Sequence, residues 1–397
     1  MHPLRLRHMS IVSSLGAGLA ATLSALASGR SGLAPCRFET VDLPTYVGEV
    51  ASLADAKLDG ASASFDCRNN NLAEMALAQD GFDGAVAAAV ARHGAHRIGL
   101  FLGTSTSGIL QSELAYRARD SLTGKLPAGH DYERTHNTSS LAVYLRHRLG
   151  VTGPSVVVSC ACASTAKAFG NAARMIEAGL CDAAIVGGAD TLCLTTLYGF
   201  QSLKLNAAGP CRAFDTARDG ISIGEAAGFV LLEKPEANAA ADDVFLLGLG
   251  ESNDAHHMSS PHPQGVGARL AMERALAAGG LAPGDIDYIN LHGTATRVGD
   301  AAEDQAVFGL FGADTPCSST KGHTGHTLGA AGIVEAILSV LAIRHDILPG
   351  SPHTETIDPS FRSRYVRVSE PARIDRVMSN SFGFGGSNCS LILGRAR

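Results

Sequence analysis

The sequence is poor in aromatic and charged residues. Tryptophan is absent, aromatic residues make up 5% of the 397 residues, and charged residues make up 18%. The net charge is −6 and no basic block occurs, which argues against nucleic acid as a main partner. No stretch has the length and uniform apolarity of a membrane span. The 45% hydrophobic content predicts well-filled cores, and the 45 glycines predict many tight turns.

The nine cysteines are scattered, and their odd number does not suit a disulfide framework. We therefore expect free thiols and a cytoplasmic location. Cys160 and Cys162 are spaced like a metal or redox pair, but no second Cys or His pair with zinc spacing accompanies them. The sequence thus predicts no metal site.

The N-terminus permits two interpretations. Residues 5–27 have the basic start, apolar run and small-residue end of a secretory signal peptide. The alternative is a strand over Met9–Ser13, a turn at Gly16 and Gly18, and a helix that ends near Gly29. We favour the second interpretation because the two glycines would weaken a continuous hydrophobic helix.

Strand patterns alternate with helical patterns along the chain, which predicts a mainly parallel α/β architecture. A polar, alanine-rich connector over Lys234–Asp243 separates two runs of this alternation. We therefore predict two similar halves, residues 1–240 and 241–397. The predicted strands after the first are Arg97–Leu102, Ser155–Ser159, Ala183–Gly187, Gly228–Glu233, Val244–Leu249, Tyr288–Leu291 and Arg376–Asn380. The predicted helices after the first are Gly84–Ala91, Ser139–Arg148, Thr165–Ala178, Leu197–Leu203, Gly267–Ala278 and Ala330–Arg344.

A cysteine lies where an apolar run ends and a small-residue helix pattern begins. Val157 and Val158 lead into Cys160-Ala161-Cys162, and Ala163-Ser164-Thr165 opens the helix. This position would put the Cys162 sulfur at the positive end of a helix dipole, which favours the thiolate and makes the sulfur a nucleophile. Taken alone, Cys162 could instead be a small buried apolar residue.

A first remote histidine follows a predicted strand. His292 opens the segment His292-Gly293-Thr294-Ala295-Thr296, and Asp300 comes shortly after it. We expect the His292 imidazole to face a pocket at the carboxyl edge of the sheet, where open α/β sheets bind ligands. Thr294 and Thr296 could offer hydroxyl groups to a polar ligand arm. An ordinary turn histidine is the alternative.

A second histidine lies in a loop that also holds a lysine. Lys321 and His323 precede Gly325-His326-Thr327, and the helix that follows carries Glu335, a candidate buried partner for Lys321. His326 at the helix start could bind a developing anion. The spacing of His323 and His326 would also suit a metal, but a lysine in the same loop disfavours a cation there.

The segment Asn380–Asn388 is a glycine-rich turn with two phenylalanines. Its glycines would expose backbone N–H groups to an oxyanion, and Phe384 could act as a movable gate. A simple hairpin turn with packed aromatic side chains is the alternative. One cysteine with remote histidines indicates covalent thioester chemistry.

Together these motifs resemble those of the β-ketoacyl-acyl-carrier-protein synthases of the thiolase fold. The motifs are Ala-Cys-Ala-Ser, His-Gly-Thr-x-Thr-x-x-Gly-Asp, Thr-Lys-x-x-Thr-Gly-His and Asn-Ser-Phe-Gly-Phe-Gly-Gly, and the resemblance covers nearly the whole chain. It implies an α/β thiolase fold in which two similar βαβ halves pack in five αβαβα layers. It also implies an elongating synthase that condenses malonyl-acyl-carrier protein, with loss of CO₂, onto an acyl group held on cysteine, extending a fatty-acid or polyene chain by two carbons.

The resemblance implies a role for each matching residue. Cys162 would take the acyl group, and His292 and His326 would serve decarboxylation and condensation. Lys321 would join them in the catalytic set, supported by Glu335 and Asp300. The backbone N–H groups of Cys162 and Phe384 would form the oxyanion hole, Phe384 would gate the acyl pocket, and Thr294 and Thr296 would bind the phosphopantetheine arm.

The family also implies the partners and cofactors. Substrates would arrive on the phosphopantetheine arm of acyl carrier protein, and no metal or redox cofactor would be needed because decarboxylation drives the reaction. The chain would form a homodimer or a heterodimer with a related ketosynthase-like subunit.

Some positions depart from the commonest fatty-acid forms and leave the substrate open, namely Cys160, Ala295, Arg297 and His323. Residues 195–204 are most similar to synthases from aryl-polyene clusters.

A degradative thiolase would need a second cysteine in a Cys-x-Gly setting, and Cys389 is followed by serine. A secreted cysteine hydrolase would need the signal-peptide interpretation. The main alternative is a non-catalytic chain-length-type subunit of a ketosynthase heterodimer, although such subunits lose the nucleophile that is present here.

Overall fold

The structure, a computed structural model, describes residues 1–235, 240 and 242–395. Its strands in chain order are β1 (Leu4–Ser13), β2 (Gly16–Ala17), β3 (Ala34–Pro35), β4 (Tyr46–Gly48), β5 (Ile98–Gly103), β6 (Ser155–Val158), β7 (Ala183–Asp190), β8 (Ile223–Gly224), β9 (Ala226–Glu233), β10 (Val244–Asn253), β11 (Tyr288–Asn290), β12 (Pro316–Ser318), β13 (Ile347–Leu348), β14 (Arg364–Tyr365), β15 (Glu370–Pro371), β16 (Arg376–Gly383) and β17 (Ser387–Arg395). Its α-helices are α1 (Leu19–Ser28), α2 (Arg68–Leu77), α3 (Phe82–His93), α4 (Ile109–Arg117), α5 (Ser140–Leu149), α6 (Ser164–Glu177), α7 (Leu194–Ser202), α8 (Val266–Gly279), α9 (Arg297–Phe311), α10 (Lys321–Thr324) and α11 (Ala331–His345).

The two halves contain sheets of the same design. The first sheet has the strand order β1-β9-β7-β5-β6, and the second has the order β10-β17-β16-β11-β12, with β14 added at its edge. In each sheet the first two pairings are antiparallel and the next two are parallel. The halves therefore share one topology, as the alternation of elements predicts. The expectation of a mainly parallel architecture is wrong, because this shared pattern has as many antiparallel pairings as parallel ones.

The two sheets are also joined by hydrogen bonds. β1 pairs antiparallel with β10, where Leu4 lies opposite Leu246 and Arg5 lies opposite Phe245. Through this short contact the strands of both halves form one continuous hydrogen-bonded sheet. The N-terminal strand thus belongs to the seam between the halves.

Three buried apolar clusters define five layers. The central cluster contains α6, α11 and side chains from the inner faces of both sheets. A second cluster packs α2, α3 and α5 on the outer face of the first sheet, and a third packs α8 and α9 on the outer face of the second sheet. The order helix, sheet, helix, sheet, helix confirms the predicted αβαβα arrangement.

The central helix α11 is almost entirely apolar. The expectation that no stretch is long and apolar enough to cross a membrane is wrong by this measure, because among the described residues the segment Leu328–His345 is, and 89% of it lies buried inside the protein. A helix enclosed on all sides by protein has no polar face to present. Its composition is therefore explained by its central position between the sheets.

The structural interpretation of the N-terminus is confirmed. β1 lies inside the first sheet between β9 and β10, and its Leu6 and Ile11 side chains are fully buried. α1 follows the glycine turn and ends at Gly29, which has a left-handed φ of 69°. Residues 4–28 therefore form part of the core.

Most other predicted elements are present with boundary shifts of a few residues. α2, α4, α9 and the long strand β17 were not predicted. The first turn of α2 contains three asparagines directly after Arg68. Asparagine has a low helix propensity, yet tertiary contacts bury all three side chains. The central part of the predicted connector, residues 236–239, lies outside the described residues, and so does residue 241 at the predicted boundary. The domain limits therefore stay a prediction.

The close approach of α6 and α11 requires a glycine, and we expect Gly332→Ala to lower the free energy of unfolding by about 2 kcal/mol. A Cβ at Gly332 would lie 2.6 Å from the backbone nitrogen of Ala166 and 2.8 Å from its Cβ, so the helices would have to separate. Chemical denaturation measures this change. The matched control is Gly309→Ala at an exposed position of α9, where the nearest atom to an added Cβ is 3.8 Å away. This change should be neutral or stabilising by up to about 1 kcal/mol. Equal effects at both positions would contradict the packing argument.

Candidate active site

Cys162 lies in the tight turn that joins β6 to α6. The preceding residue, Ala161, has a left-handed φ of 52°. Ser164 closes the turn, since its hydroxyl accepts a hydrogen bond from the Cys160 N–H at 2.9 Å and donates to the Ala161 carbonyl at 2.6 Å. The Cys162 side chain is only 6% exposed and lines a cavity of about 370 Å³. The cysteine therefore stands just before the helix, as predicted.

The structure brings the two predicted histidines to this cysteine. His326 Nε2 lies 3.0 Å from Cys162 Sγ. The His292 and His326 rings are nearly perpendicular, with their centroids 5.4 Å apart. One nitrogen from each ring and the sulfur all lie within 4.8 Å of one another. Three motifs that are distant in sequence thus form a single site.

The surroundings of the two rings assign the same tautomer to both. The Leu328 N–H donates to His326 Nδ1 at 3.2 Å. Lys321 Nζ lies 3.4 Å from His292 Nδ1 and donates to the His292 carbonyl oxygen at 2.5 Å. Because each Nδ1 faces a donor, each neutral ring carries its hydrogen on Nε2. The site therefore offers two imidazole N–H donors beside the sulfur.

Both imidazoles are neutral near pH 7. Burial lowers the pKa of His292 and of His326 well below 6.5, and the positive charge of Lys321 lowers both further. For His292 the neighbouring His326 acts in the same direction. Neutral rings can donate hydrogen bonds to a developing negative charge without first losing a proton.

The ionisation of Cys162 differs from the prediction. Burial raises the pKa of the thiol to about 12, although Lys321 and a hydrogen bond from the Phe384 N–H both act to lower it. The expectation that the helix start favours the thiolate is therefore wrong for the resting site. The reason is that a deeply buried sulfur loses most of the water that would solvate its charge.

Lys321 and Glu335 form the predicted buried pair. Lys321 Nζ donates to Glu335 Oε1, and both side chains are almost inaccessible. Burial raises the pKa of Glu335 to about 7, while Lys321 opposes that rise. The carboxylate thereby holds the lysine against the back of His292.

Two buried carboxylates hold the turn that carries His292. Asp300 accepts hydrogen bonds from the Phe214 N–H at 2.8 Å and the Ala295 N–H at 3.1 Å. Glu303 accepts from the N–H groups of His292 at 2.8 Å and of Gly293 at 2.7 Å. Burial raises the pKa of Asp300 to about 6 and that of Glu303 to about 7. Sequence reasoning missed Glu303, although its position three residues after Asp300 places both on one face of α9.

The glycine-rich turn between β16 and β17 forms a wall of the cavity. It is a hairpin turn, as the simpler interpretation proposed, and it also brings the Phe384 N–H to the Cys162 sulfur. A Cβ at Gly383 would lie 3.2 Å from the Cys162 nitrogen, so the two backbones are in close contact. The Phe384 ring packs on Phe200 with centroids 5.6 Å apart.

The predicted arm-binding threonines lie along the same cavity. Thr294 and Thr296 both line it, with their hydroxyl oxygens 3.1 Å apart. Lys204 and Arg297 lie on its wall as well, and the neighbouring Val298 is 53% exposed. The cavity thus connects the cysteine to the surface along a path with hydroxyl and basic groups.

The hydrogen-bond partners of the histidines oppose metal binding, both by the predicted pair of His323 and His326 and by the cluster of Cys162, His292 and His326. The His323 ring nitrogens face the carbonyl oxygens of Arg30 at 2.8 Å and Gly350 at 3.2 Å, so this ring does not join His326. Cys162, His292 and His326 have the spacing of metal ligands, but binding through Nε2 would move each hydrogen to Nδ1. Donors already occupy both Nδ1 positions, so these partners oppose ligation.

Comparison with known families gives two matches that together cover most of the chain. Residues 9–238 match the family "Beta-ketoacyl synthase, N-terminal domain", and residues 245–355 match "Beta-ketoacyl synthase, C-terminal domain". A 3-oxoacyl-[acyl-carrier-protein] synthase 2 of Coxiella burnetii is 32% identical over 98% of this chain and 97% of its own length. A mitochondrial 3-oxoacyl-[acyl-carrier-protein] synthase of Arabidopsis thaliana is 41% identical over 62% of this chain, and that alignment spans 57% of the plant protein.

A solved structure is also similar over the whole chain. A ketosynthase in complex with its chain length factor, from Xenorhabdus doucetiae, superposes with a TM-score of 0.89 and 37% identity. The match covers 100% of this chain and 98% of that one.

The raised pKa of Cys162 predicts a specific pH dependence of its alkylation. Below a pKa of about 12 the thiolate fraction rises about tenfold per pH unit. The rate of iodoacetamide labelling at Cys162, followed by peptide mass spectrometry, should therefore keep rising between pH 7 and pH 9. A rate that reaches a plateau near pH 7 would show instead that the helix start stabilises a thiolate.

Proposed function

This chain belongs to the β-ketoacyl synthase family and is a condensing enzyme of the acyltransferase class, and we propose that it elongates acyl chains on acyl carrier protein by two carbons. The reaction is a decarboxylative Claisen condensation of malonyl-acyl-carrier protein with an acyl group on Cys162. The observation that carries this proposal is the convergence of the Cys162 sulfur with two neutral imidazole N–H donors in one cavity.

The first step transfers the acyl group to the enzyme. The Cys162 sulfur attacks the carbonyl carbon of an acyl thioester, and the N–H groups of Cys162 and Phe384 stabilise the negative oxygen that forms. The bond to the phosphopantetheine sulfur then breaks, and the proton of the Cys162 thiol ends on that departing sulfur. The products are acyl-Cys162 and the free thiol of the carrier protein.

The second step generates the carbon nucleophile. The thioester oxygen of a malonyl group accepts hydrogen bonds from Nε2–H of His292 and of His326. The bond to the carboxylate breaks, CO₂ leaves, and the electron pair becomes an enolate whose negative oxygen these two donors stabilise. Lys321 and Glu303 keep the His292 ring and its backbone in place for this step.

The third step joins the two chains. The enolate carbon attacks the carbonyl carbon of acyl-Cys162, the carbon–sulfur bond breaks, and the product leaves as a β-ketoacyl thioester. The Cys162 sulfur departs as a thiolate and takes up one proton from solvent, which restores the resting thiol. Loss of CO₂ drives the sequence, so we propose that it needs no metal or redox cofactor.

The cavity wall supports the proposal that the substrate arrives on a phosphopantetheine arm. Lys204 and Arg297 bring positive charge to the path, which suits a phosphodiester. Thr294 and Thr296 bring hydroxyl groups farther along it, which suit amide groups. We assign these side chains to binding of the arm of acyl carrier protein.

The edge of the first sheet supports a dimer. β6 is the last strand of that sheet, and among the described residues it pairs only with β5. Its side chains Val156, Val157 and Val158 are only partly buried. An apolar edge strand is a template for another strand, and the similar ketosynthase was solved with its chain length factor. We propose that a second ketosynthase-fold chain pairs along β6.

The presence of the nucleophile favours catalysis over the alternative of a non-catalytic chain-length subunit. Cys162 lies 3.0 Å from His326 on the wall of a cavity that reaches the surface, so this chain keeps the nucleophile that such subunits lose. The aryl-polyene subtype and the cytoplasmic location stay predictions, the latter supported by nine free thiols.

Acyl loading and condensation should separate in variants of the site. Cys162→Ala should lose the acyl adduct that intact mass spectrometry detects after incubation with acyl-acyl-carrier protein. His292→Ala should load acyl groups, but its rate of condensation should fall by about 100-fold or more, because one of the two enolate donors is gone. The control His96→Ala alters an exposed histidine outside the site. Condensation by Cys162→Ala, or undiminished condensation by His292→Ala, would contradict the mechanism.

A charge on the edge strand should weaken the dimer. Val157→Lys would put an ammonium group on a sheet face of the edge strand β6, where a charged residue disfavours pairing with another strand. Sedimentation analysis should show a shift towards monomer relative to the unaltered chain, while circular dichroism stays the same. Dimerisation of the purified chain indicates a second copy as partner, and dimerisation only on coexpression indicates a related subunit. A dimer that is insensitive to Val157→Lys would place the interface elsewhere.

A further inference from the structure

A buried carboxylate outside the cavity wall holds the loop that carries His326. Asp190 ends β7 and is fully buried. It accepts hydrogen bonds of 2.7 to 2.8 Å from the hydroxyl groups of Thr104, Ser105 and Thr106 and from the N–H groups of Ser105 and Thr106. It also accepts from the Gly329 N–H at 2.5 Å. Asp190 therefore ties the first half of the fold to the segment between His326 and α11.

Gly329 is held from two sides at this contact. Its N–H donates to Asp190, and its carbonyl oxygen accepts from the Thr165 hydroxyl at 2.7 Å. A Cβ at Gly329 would lie 2.7 Å from Asp190 Oδ2 and 3.0 Å from the Ser105 nitrogen. The position thus admits glycine alone, and the backbone has little freedom to move.

The residue before Gly329 adopts an unusual conformation. Leu328 has a φ of +53°, in the left-handed region that residues with a side chain seldom occupy. Its own N–H donates to His326 Nδ1 at 3.2 Å, while the next N–H, that of Gly329, donates to Asp190. Two consecutive N–H groups therefore serve the histidine and the carboxylate, and the left-handed Leu328 lies between them.

We propose that Asp190 is a positioning residue that acts through Gly329 and Leu328 to keep the hydrogen of His326 on Nε2. If Gly329 were released, Leu328 could relax to a negative φ and withdraw its N–H from Nδ1. The hydrogen could then move to Nδ1, and an Nε2 lone pair would face the enolate oxygen and repel it. The inference rests on the proposed function, in which Nε2–H of His326 is an enolate donor.

Asp190→Asn tests this role because it keeps the shape of the side chain but replaces one acceptor oxygen by a donor. Loading of Cys162 by acyl-acyl-carrier protein should stay within about twofold of the unaltered enzyme, since His326 is not required to donate in that step. Decarboxylation of malonyl-acyl-carrier protein should fall about tenfold, less than the roughly 100-fold loss expected when a donor is removed altogether.

A spectroscopic measurement separates this role from a purely structural one. In ¹⁵N-histidine-labelled protein, long-range ¹H–¹⁵N correlations should show His326 with its hydrogen on Nε2 alone, and Asp190→Asn should add the Nδ1–H form. Comparison with His326→Asn assigns the signals. The matched control is Asp182→Asn, which alters a partly exposed aspartate paired with Arg97. The control should leave the His326 tautomer, acyl loading and decarboxylation unchanged.

Three outcomes would overturn the proposal. They are an unchanged His326 tautomer in Asp190→Asn, an equal loss of loading and decarboxylation in a folded variant, and undiminished decarboxylation.

If Asp190→Asn does not fold, Ser105→Ala replaces it, because the Ser105 hydroxyl bridges Asp190 at 2.7 Å and the Gly329 N–H at 3.2 Å. It should cause a smaller loss, about twofold to threefold, of decarboxylation alone, and unaltered behaviour would again contradict the proposal. An unaltered enzyme that neither loads nor decarboxylates would refute the proposed function instead, while the tautomer comparison would still test the role of Asp190.

Discussion

Burial of the reacting groups between the two sheets controls the ionisation of the whole site. Burial is the largest cause of the pKa changes at Cys162, His292 and His326. It raises the pKa of the thiol and lowers the pKa of both imidazoles, so all three groups rest in their neutral forms. A hydrogen bond that a buried ring donates is stronger than one in water, because its surroundings have a low dielectric constant. The site is therefore built to stabilise negative charge on oxygen.

The two halves contribute different chemistry from equivalent places in the fold. β6 and β12 hold the same position in their sheets, and each leads towards one of the two central helices, α6 and α11. Cys162 precedes the first of these helices and His326 precedes the second. The contact between α6 and α11 therefore brings the nucleophile of one half to a donor of the other, at 3.0 Å. The packing of α6 against α11 in the central layer therefore also assembles the site.

The parts of this arrangement that could be predicted from the sequence are those encoded locally. Buried strands such as β5 and β7 are continuous apolar runs, and the turns that carry Cys162 and His292 have recognisable residue patterns. The roles of Glu303 and Asp190 could not be predicted in this way, because each carboxylate binds backbone N–H groups in a segment distant from its own, at residues 292–293 and at Gly329. The ionisation of Cys162 was wrongly predicted for a similar reason. A helix start is visible in the sequence, whereas complete enclosure by both halves is not.

The position of one hydrogen on each ring separates this site from a metal site. A cysteine and two histidines within 4.8 Å of one another could bind a soft cation if both Nε2 atoms offered lone pairs. The Leu328 N–H and Lys321 Nζ oppose this because they donate to, or face, the two Nδ1 atoms. Lys321 also places a positive charge beside His292, which would repel a cation in the same enclosed space. The same groups that oppose a metal supply the two N–H donors that an enolate needs, so the choice between the two chemistries is made by the residues behind the rings.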